Sequence, residues 1–166
     1  MDHKRVEMHI GGRGYGRFGQ GQAYGGALEL GLGVRLIRGL HLVGEIDMGA
    51  HGLPFGVQAR AGLGLRHELR LTRWVRPSVS LGYSYLAEAG FEFECGCARP
   101  VWEGVSLRAG AEFAERHGVE AGLGLRFPMP FAPRLSAYLR GDGAYYFDAR
   151  PGRVQLGGGA GVQVVF

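Results

Sequence analysis

The closest pair of soft ligands in the sequence is Cys95-Gly96-Cys97, two thiols one residue apart. Two thiols do not complete a metal site alone, and this spacing makes neither a disulfide framework nor a zinc-ligand set. They read as two small apolar side chains on one face of a strand. The six histidines, His3, His9, His41, His51, His67 and His117, show no HExxH or other close ligand spacing and read as isolated polar groups. Serine–histidine hydrolysis needs the two side chains within hydrogen-bond reach. Ser84, the candidate serine, has no histidine adjacent in sequence. The glycine-rich segment Gly11 to Gly16 lacks the helix and following lysine of a phosphate-cradling loop. No catalytic residue, metal or cofactor is therefore expected.

The acids and arginines are more informative. The chain has 166 residues and a net charge of +4, and among its 19 basic residues only Lys4 is a lysine. Soluble folds usually coat themselves with lysine alongside glutamate and aspartate, so an ordinary solvated surface is missing. The arginines fall singly instead of forming a stripe, which argues against nucleic-acid binding. Glycine is the dominant residue, at 32 of 166, without a period of three and interleaved with aliphatic residues, which excludes collagen and disorder. No apolar run approaches the ~20 residues of a spanning helix.

The elements that position these charges are strands, because charged and apolar residues alternate nearly end to end. Leu28, Leu30, Leu32, Val34 and Leu36 oppose Glu29, Gly31, Gly33 and Arg35. Phe55, Val57, Ala59, Ala61, Leu63 and Leu65 oppose Gln58, Arg60, Gly62, Gly64 and Arg66. The same two faces return in the last strand, Val154 to Phe166. A repeat marks several strands: Gly-Leu-Gly-Val-Arg at Gly31 to Arg35, and Gly-Leu-Gly-Leu-Arg at Gly62 to Arg66 and Gly122 to Arg126. The second interval is nearly twice the first, leaving room for an extra strand pair.

Turn signals fall in two series. One, near Arg38-Gly39, Glu68 to Arg73, Arg99-Pro100 and Pro128 to Pro133, belongs to the end holding both termini. The other falls near Gly19 to Gln22, Gly49 to Pro54, Glu88 to Gly90, Arg116 to Gly118 and Asp148 to Gly152. The expectation is one domain over residues 1–166, all-β, an antiparallel up-and-down transmembrane barrel. Ten strands are preferred, at 6–18, 23–36, 40–49, 55–66, 74–86, 91–98, 103–114, 119–127, 134–147 and 153–166. Eight is the alternative, with Glu88 to His117 as one long loop.

Alternation alone does not say which face is inside. Glycine-rich polar faces would leave a water-facing sheet bare, whereas in a tight lumen small residues make room for long ones. The polar face is therefore the interior. Arginine's fork of donors suits pairing with buried carboxylates, which accounts for the near absence of lysine. The candidate lumen network is Glu29, Arg35, Glu45, Arg60, Glu92, Glu94, Arg108, Glu112, Arg140 and Asp142, with Arg108 expected to pair with Glu92 or Glu94. Aromatic residues near strand ends, among them Tyr24, Phe55, Trp74, Tyr83, Tyr85, Trp102, Phe127, Phe131, Tyr145, Phe147 and Phe166, fit two interfacial girdles.

Gly157 to Phe166, with Ala160, Val162, Val164 and a final Phe166 on one face, resembles the closing strand of bacterial outer-membrane proteins. The whole chain resembles a small outer-membrane barrel of the OmpA, OmpX and OmpW kind. The resemblance implies a bacterial outer-membrane location, membrane lipid as surroundings, and Phe166 as the signal read by the barrel-assembly machinery. Met1 to Arg5 are polar and carry no signal-peptide h-region, so an export signal would have been removed or replaced by a start methionine. The functions weighed are a structural or interaction role with a side-chain-filled polar lumen, a narrow porin-like channel, and an outer-membrane lipid-modifying enzyme.

Overall fold

A computed structural model describes residues 5–18, 23–52, 55–95, 107–147 and 153–166, with side chains described except at 91–95 and 107–112. Among the described residues the chain forms eight strands: β1 (Val6–Phe18), β2 (Ala23–Ile37), β3 (Leu40–His51), β4 (Gly56–Glu68), β5 (Arg76–Cys95), β6 (Leu107–Met129), β7 (Ala132–Tyr146) and β8 (Arg153–Val165). Each pairs antiparallel with its sequence neighbours, and β1 pairs with β8 to close the barrel. Alternation accounts for this geometry: successive side chains face opposite sides, and closure removes both sheet edges. At the tight turn between β2 and β3, Gly39 takes a φ of +83°, which a β-carbon would strain.

The two faces are opposite in kind. Leu28 is 74% exposed on the outside while its neighbour Glu29 is 2% exposed in the lumen. Leu30, Leu32, Ile46, Met48, Leu63, Leu81, Leu123 and Leu156 continue the outer aliphatic band. Exposed Phe18, Tyr24, Tyr83, Tyr145 and Phe147 stand around the loop end, and Trp74, Phe131 and Phe166 around the terminus end. An apolar band between aromatic girdles is the surface a barrel shows to lipid.

The preference for ten strands is corrected to eight. Glu88 to Gly90 and Arg116 to Gly118 carry the charge and glycine of turns, yet β5 and β6 run straight through them as strands of 20 and 23 residues. Glu88 and Arg116 are inward-facing groups that meet each other in the lumen, 3.3 Å apart. Gly118 is a close approach, since a β-carbon there would collide with the Tyr145 carbonyl. The outward parity Val79, Leu81, Tyr83, Tyr85, Ala87 and Ala89 never breaks, and that parity is the signal for a continuous strand. The eight-strand alternative has the right count but makes Glu88 to His117 a loop; much of it is paired strand. β4 leaves β5 at Gly90 and β7 leaves β6 at Gly118, so the register from Phe91↔Ala111 to Cys95↔Leu107 is a two-stranded ribbon extending past the closed barrel. The turn at Arg99-Pro100, Cys97 and Trp102 lie outside the described residues.

Candidate functional site

Long lumen side chains need somewhere to lie, and neighbouring glycines provide it. Glu7 lies over Gly33, Arg13 over Gly157, Tyr15 over Gly25 and His9 over Gly31, each at a spot that a β-carbon would fill. The glycine-rich repeat is thus a set of beds for charged side chains, which is why glycine and charge share one parity.

The charges sort into three connected groups along the barrel axis. At the waist, Arg13 pairs with Asp47 at 3.0 Å and with Asp142. Arg60 reaches Asp47 and Glu120, both at 2.5 Å, and lies 3.6 Å from Asp142. Arg140 pairs with Glu45, with Glu120 at 2.5 Å and with Glu29 at 3.8 Å. His9 Nε2 stands 3.2 Å from Glu29, and the Tyr138 hydroxyl donates to the same carboxylate at 3.2 Å. These bonds tie β1, β2, β3, β4, β6 and β7 together across the lumen.

Towards the termini, Glu7 pairs with Arg66 and accepts from Gln163 at 2.5 Å. Arg126 pairs with Glu68 at 3.0 Å, and His41 faces Glu7 at 3.4 Å. Towards the loops, Glu88 gathers Arg17, Arg116 at 3.3 Å and Arg153 at 3.2 Å. The wall of β4, β5 and β6 facing the waist is small by contrast. Gly62, Gly64, Ser78, Ser80, Gly82 and Gly124 border a cavity of about 70 Å³ there.

Of the ten residues expected in the lumen network, the structure brings Glu29, Glu45, Arg60, Arg140 and Asp142 together at the waist. Arg35 sits at the terminus-side mouth, lining a recess with Arg5, Arg70, Arg76 and Arg126. The backbone register sets Glu94 opposite Arg108, Glu92 opposite Gly110 and Glu112 opposite Gly90, on or beside the projecting ribbon. The side chains of Glu92, Glu94, Arg108 and Glu112 lie outside the described residues, and so does their expected pairing. The expected network omits Arg13, Asp47 and Glu120, although they share the inward parity, and Glu88, which a turn signal masks. His9 and His41, read as isolated in the sequence, have the parity of Glu7 and Glu45 and face the lumen. Ser84 is fully buried in the lumen, 3.3 Å from the Tyr146 hydroxyl. His117, beside it across the strand pair, points outward to Tyr83, so these two form no serine–histidine pair.

Eight meandering strands closed into a barrel are shared with several solved structures. Neisserial surface protein A matches with a TM-score of 0.74 at 13% identity, covering 96% of both chains. Ail, the attachment invasion locus protein of Yersinia pestis, matches at 0.65 and 12% identity, over 98% of this chain and 99% of that one. A major outer membrane protein from Thermus thermophilus matches at 0.65 and 14% identity, over 97% and 99%. The fold is that of the small outer-membrane β-barrels. No protein-family model and no curated protein matches the chain. Within this fold Phe166 closes the sheet at the terminus end: its amide donates to the Val6 carbonyl at 2.8 Å and its ring is exposed beside the lipid face.

Proposed function

We propose that the chain is an integral protein of a bacterial outer membrane, with a structural or interaction role and a lumen closed by its own side chains. The observation that carries this reading is the waist: Arg13, Arg60 and Arg140 cross the lumen to acids on distant strands. Eight strands enclose a bore that side chains fill, and here they fill it with paired charge. Planar-bilayer recording tests it: current at the background level is expected. Stable unitary conductance from the intact barrel would instead establish the narrow porin-like reading, which the cavity beside the glycine–serine wall favours.

The interaction side of this role rests on the β5–β6 ribbon, which carries backbone beyond the barrel at the loop end. Long loops face outward and short turns face the periplasm in such barrels, so the ribbon would project from the cell. Two of the similar structures are named for surface and attachment. Phe166 serves in this reading as the assembly signal for the barrel-assembly machinery. Its deletion is expected to lower the membrane-inserted fraction in cells, and undiminished insertion would remove that role.

A further inference from the structure

We propose that His9, Glu29 and Glu45 form a binding site inside the barrel for a divalent transition-metal ion, a property the outer-membrane role does not require. The three residues come from adjacent strands β1, β2 and β3, and one ligand atom from each lies within 4.8 Å of the others. His9 Nε2 is 3.2 Å from Glu29 Oε1 and 3.7 Å from Glu45 Oε1. Ligands held at ~2.1 Å around a tetrahedral ion lie ~3.4 Å apart, so the donors already stand near the spacing of a shared ion.

The backbone prepares this arrangement. His9, Gly31 and Glu45 are in register across the three strands, and the imidazole lies over Gly31, where a β-carbon would collide with His9 Cε1. Gly31 is therefore the gap through which His9 reaches Glu45. The cavity of about 70 Å³ is bordered by His9, Glu29, Glu45, Glu120, Tyr138 and Arg140, which leaves room for an ion with water completing its shell.

Charge supplies an independent reason. Among the described residues the connected waist group holds five carboxylates, Glu29, Glu45, Asp47, Glu120 and Asp142, against three guanidinium groups, Arg13, Arg60 and Arg140. Two negative charges are left over in a buried setting, where unbalanced charge is costly. A dication at the three-ligand cluster balances them. Arg140 stays anchored if Glu45 turns to the ion, because Glu120 lies 2.5 Å from it and Asp142 3.8 Å. The second histidine cluster, Glu7, His41 and Glu68, meets the same distance condition. Arg66 and Arg126 already balance its two acids, so it has no such demand. An imidazole with two carboxylates suits zinc and its neighbours better than calcium or magnesium, which prefer all-oxygen shells.

The test is equilibrium dialysis of the chelator-stripped barrel in detergent against Zn²⁺. One ion per chain is expected. His9→Gln should weaken binding at least tenfold, and Gly31→Ala should do the same without removing a ligand, while His41→Gln should leave it unchanged. Folding of each variant is checked by heat-modifiable electrophoretic mobility. Should His9→Gln or Gly31→Ala fail to fold, NMR of the wild-type barrel decides, with Zn²⁺ expected to shift the His9 ring signals and not those of His41. No stoichiometric zinc uptake by the wild type would overturn the proposal, leaving protons to balance the waist. Binding lost in His41→Gln but kept in His9→Gln would overturn it too.

Discussion

Among the described residues, the waist and the loop-side mouth of the lumen use the same residue types in opposite proportion. At the waist each arginine has two or more carboxylates within reach, and acid is in excess. At the mouth three arginines share Glu88. Buried atoms without a protein partner among the described residues occur at both levels, at the waist on His9 Nδ1, Arg13 Nε, Asp47 Oδ1, Arg140 Nε and Asp142 Oδ1. Around the mouth, Arg17 Nε and Nη2, both polar atoms of the Gln58 amide and Gln155 Nε2 find no protein partner among the described residues, though all are buried. Buried polar groups of this kind are satisfied by water. The levels differ instead in how their ion pairs reach: at the waist several arginines bridge acids on distant strands across the barrel, while at the mouth the pairs converge on the single carboxylate of Glu88. Closure and stability should therefore depend on one level of the lumen and hardly on the other.

The largest effect should come from breaking the lock. Arg60 is almost completely buried and joins Asp47 on β3 to Glu120 on β6. Arg60→Leu leaves those acids without their shared cation and should cost ~3 to 5 kcal/mol, the range for removing one partner of a buried pair. Denaturant unfolding of the barrel in lipid vesicles measures it. A loss below about 1 kcal/mol would show that the waist is no more locked than the mouth, since that is the range of a solvated pair.

A second substitution asks whether depth alone explains that sensitivity. Leu30 lies at the middle of β2, beside Glu29 in sequence, but 55% exposed on the outer face. Leu30→Arg places a charge in lipid near the midplane and should cost ~2 to 4 kcal/mol. The same vesicle assay applies. Tolerance of arginine at this position would contradict the lipid-facing assignment of the outer band.

These residues also show how far the sequence can be read. Parity puts Leu30 outside and Arg60 inside, because a strand leaves a side chain only two faces to choose from. The same rule shows the inward direction of Arg13, Asp47, Glu120 and His9, but not their partners. Pairing across the lumen depends on which strands lie opposite each other after closure and on where the strand pairs are staggered. Arg60 and Glu120 are sixty positions apart, and nothing local links them. Glu88 misleads for a different reason. Charge beside glycine is the signature of a turn in water, but in a lumen it is equally the signature of a long side chain lying on a bare neighbour. Only the unbroken outward parity distinguishes the two, and it does so over several residues instead of at the tripeptide itself.

The smallest effect should be at the mouth, where Arg116→Leu is the counterpart of Arg60→Leu. Both replace a lumen arginine of β4 or β6 by leucine, and both remove an ion pair to a carboxylate. Arg116 is 15% exposed at its side chain, however, and Glu88 keeps Arg17 and Arg153 after its loss. The expected cost is ~0 to 1 kcal/mol, the range of a solvated pair, and it should shrink further as salt is raised. Unfolding at two ionic strengths measures both quantities. If Arg116→Leu costs as much as Arg60→Leu and is indifferent to salt, then the mouth is locked like the waist.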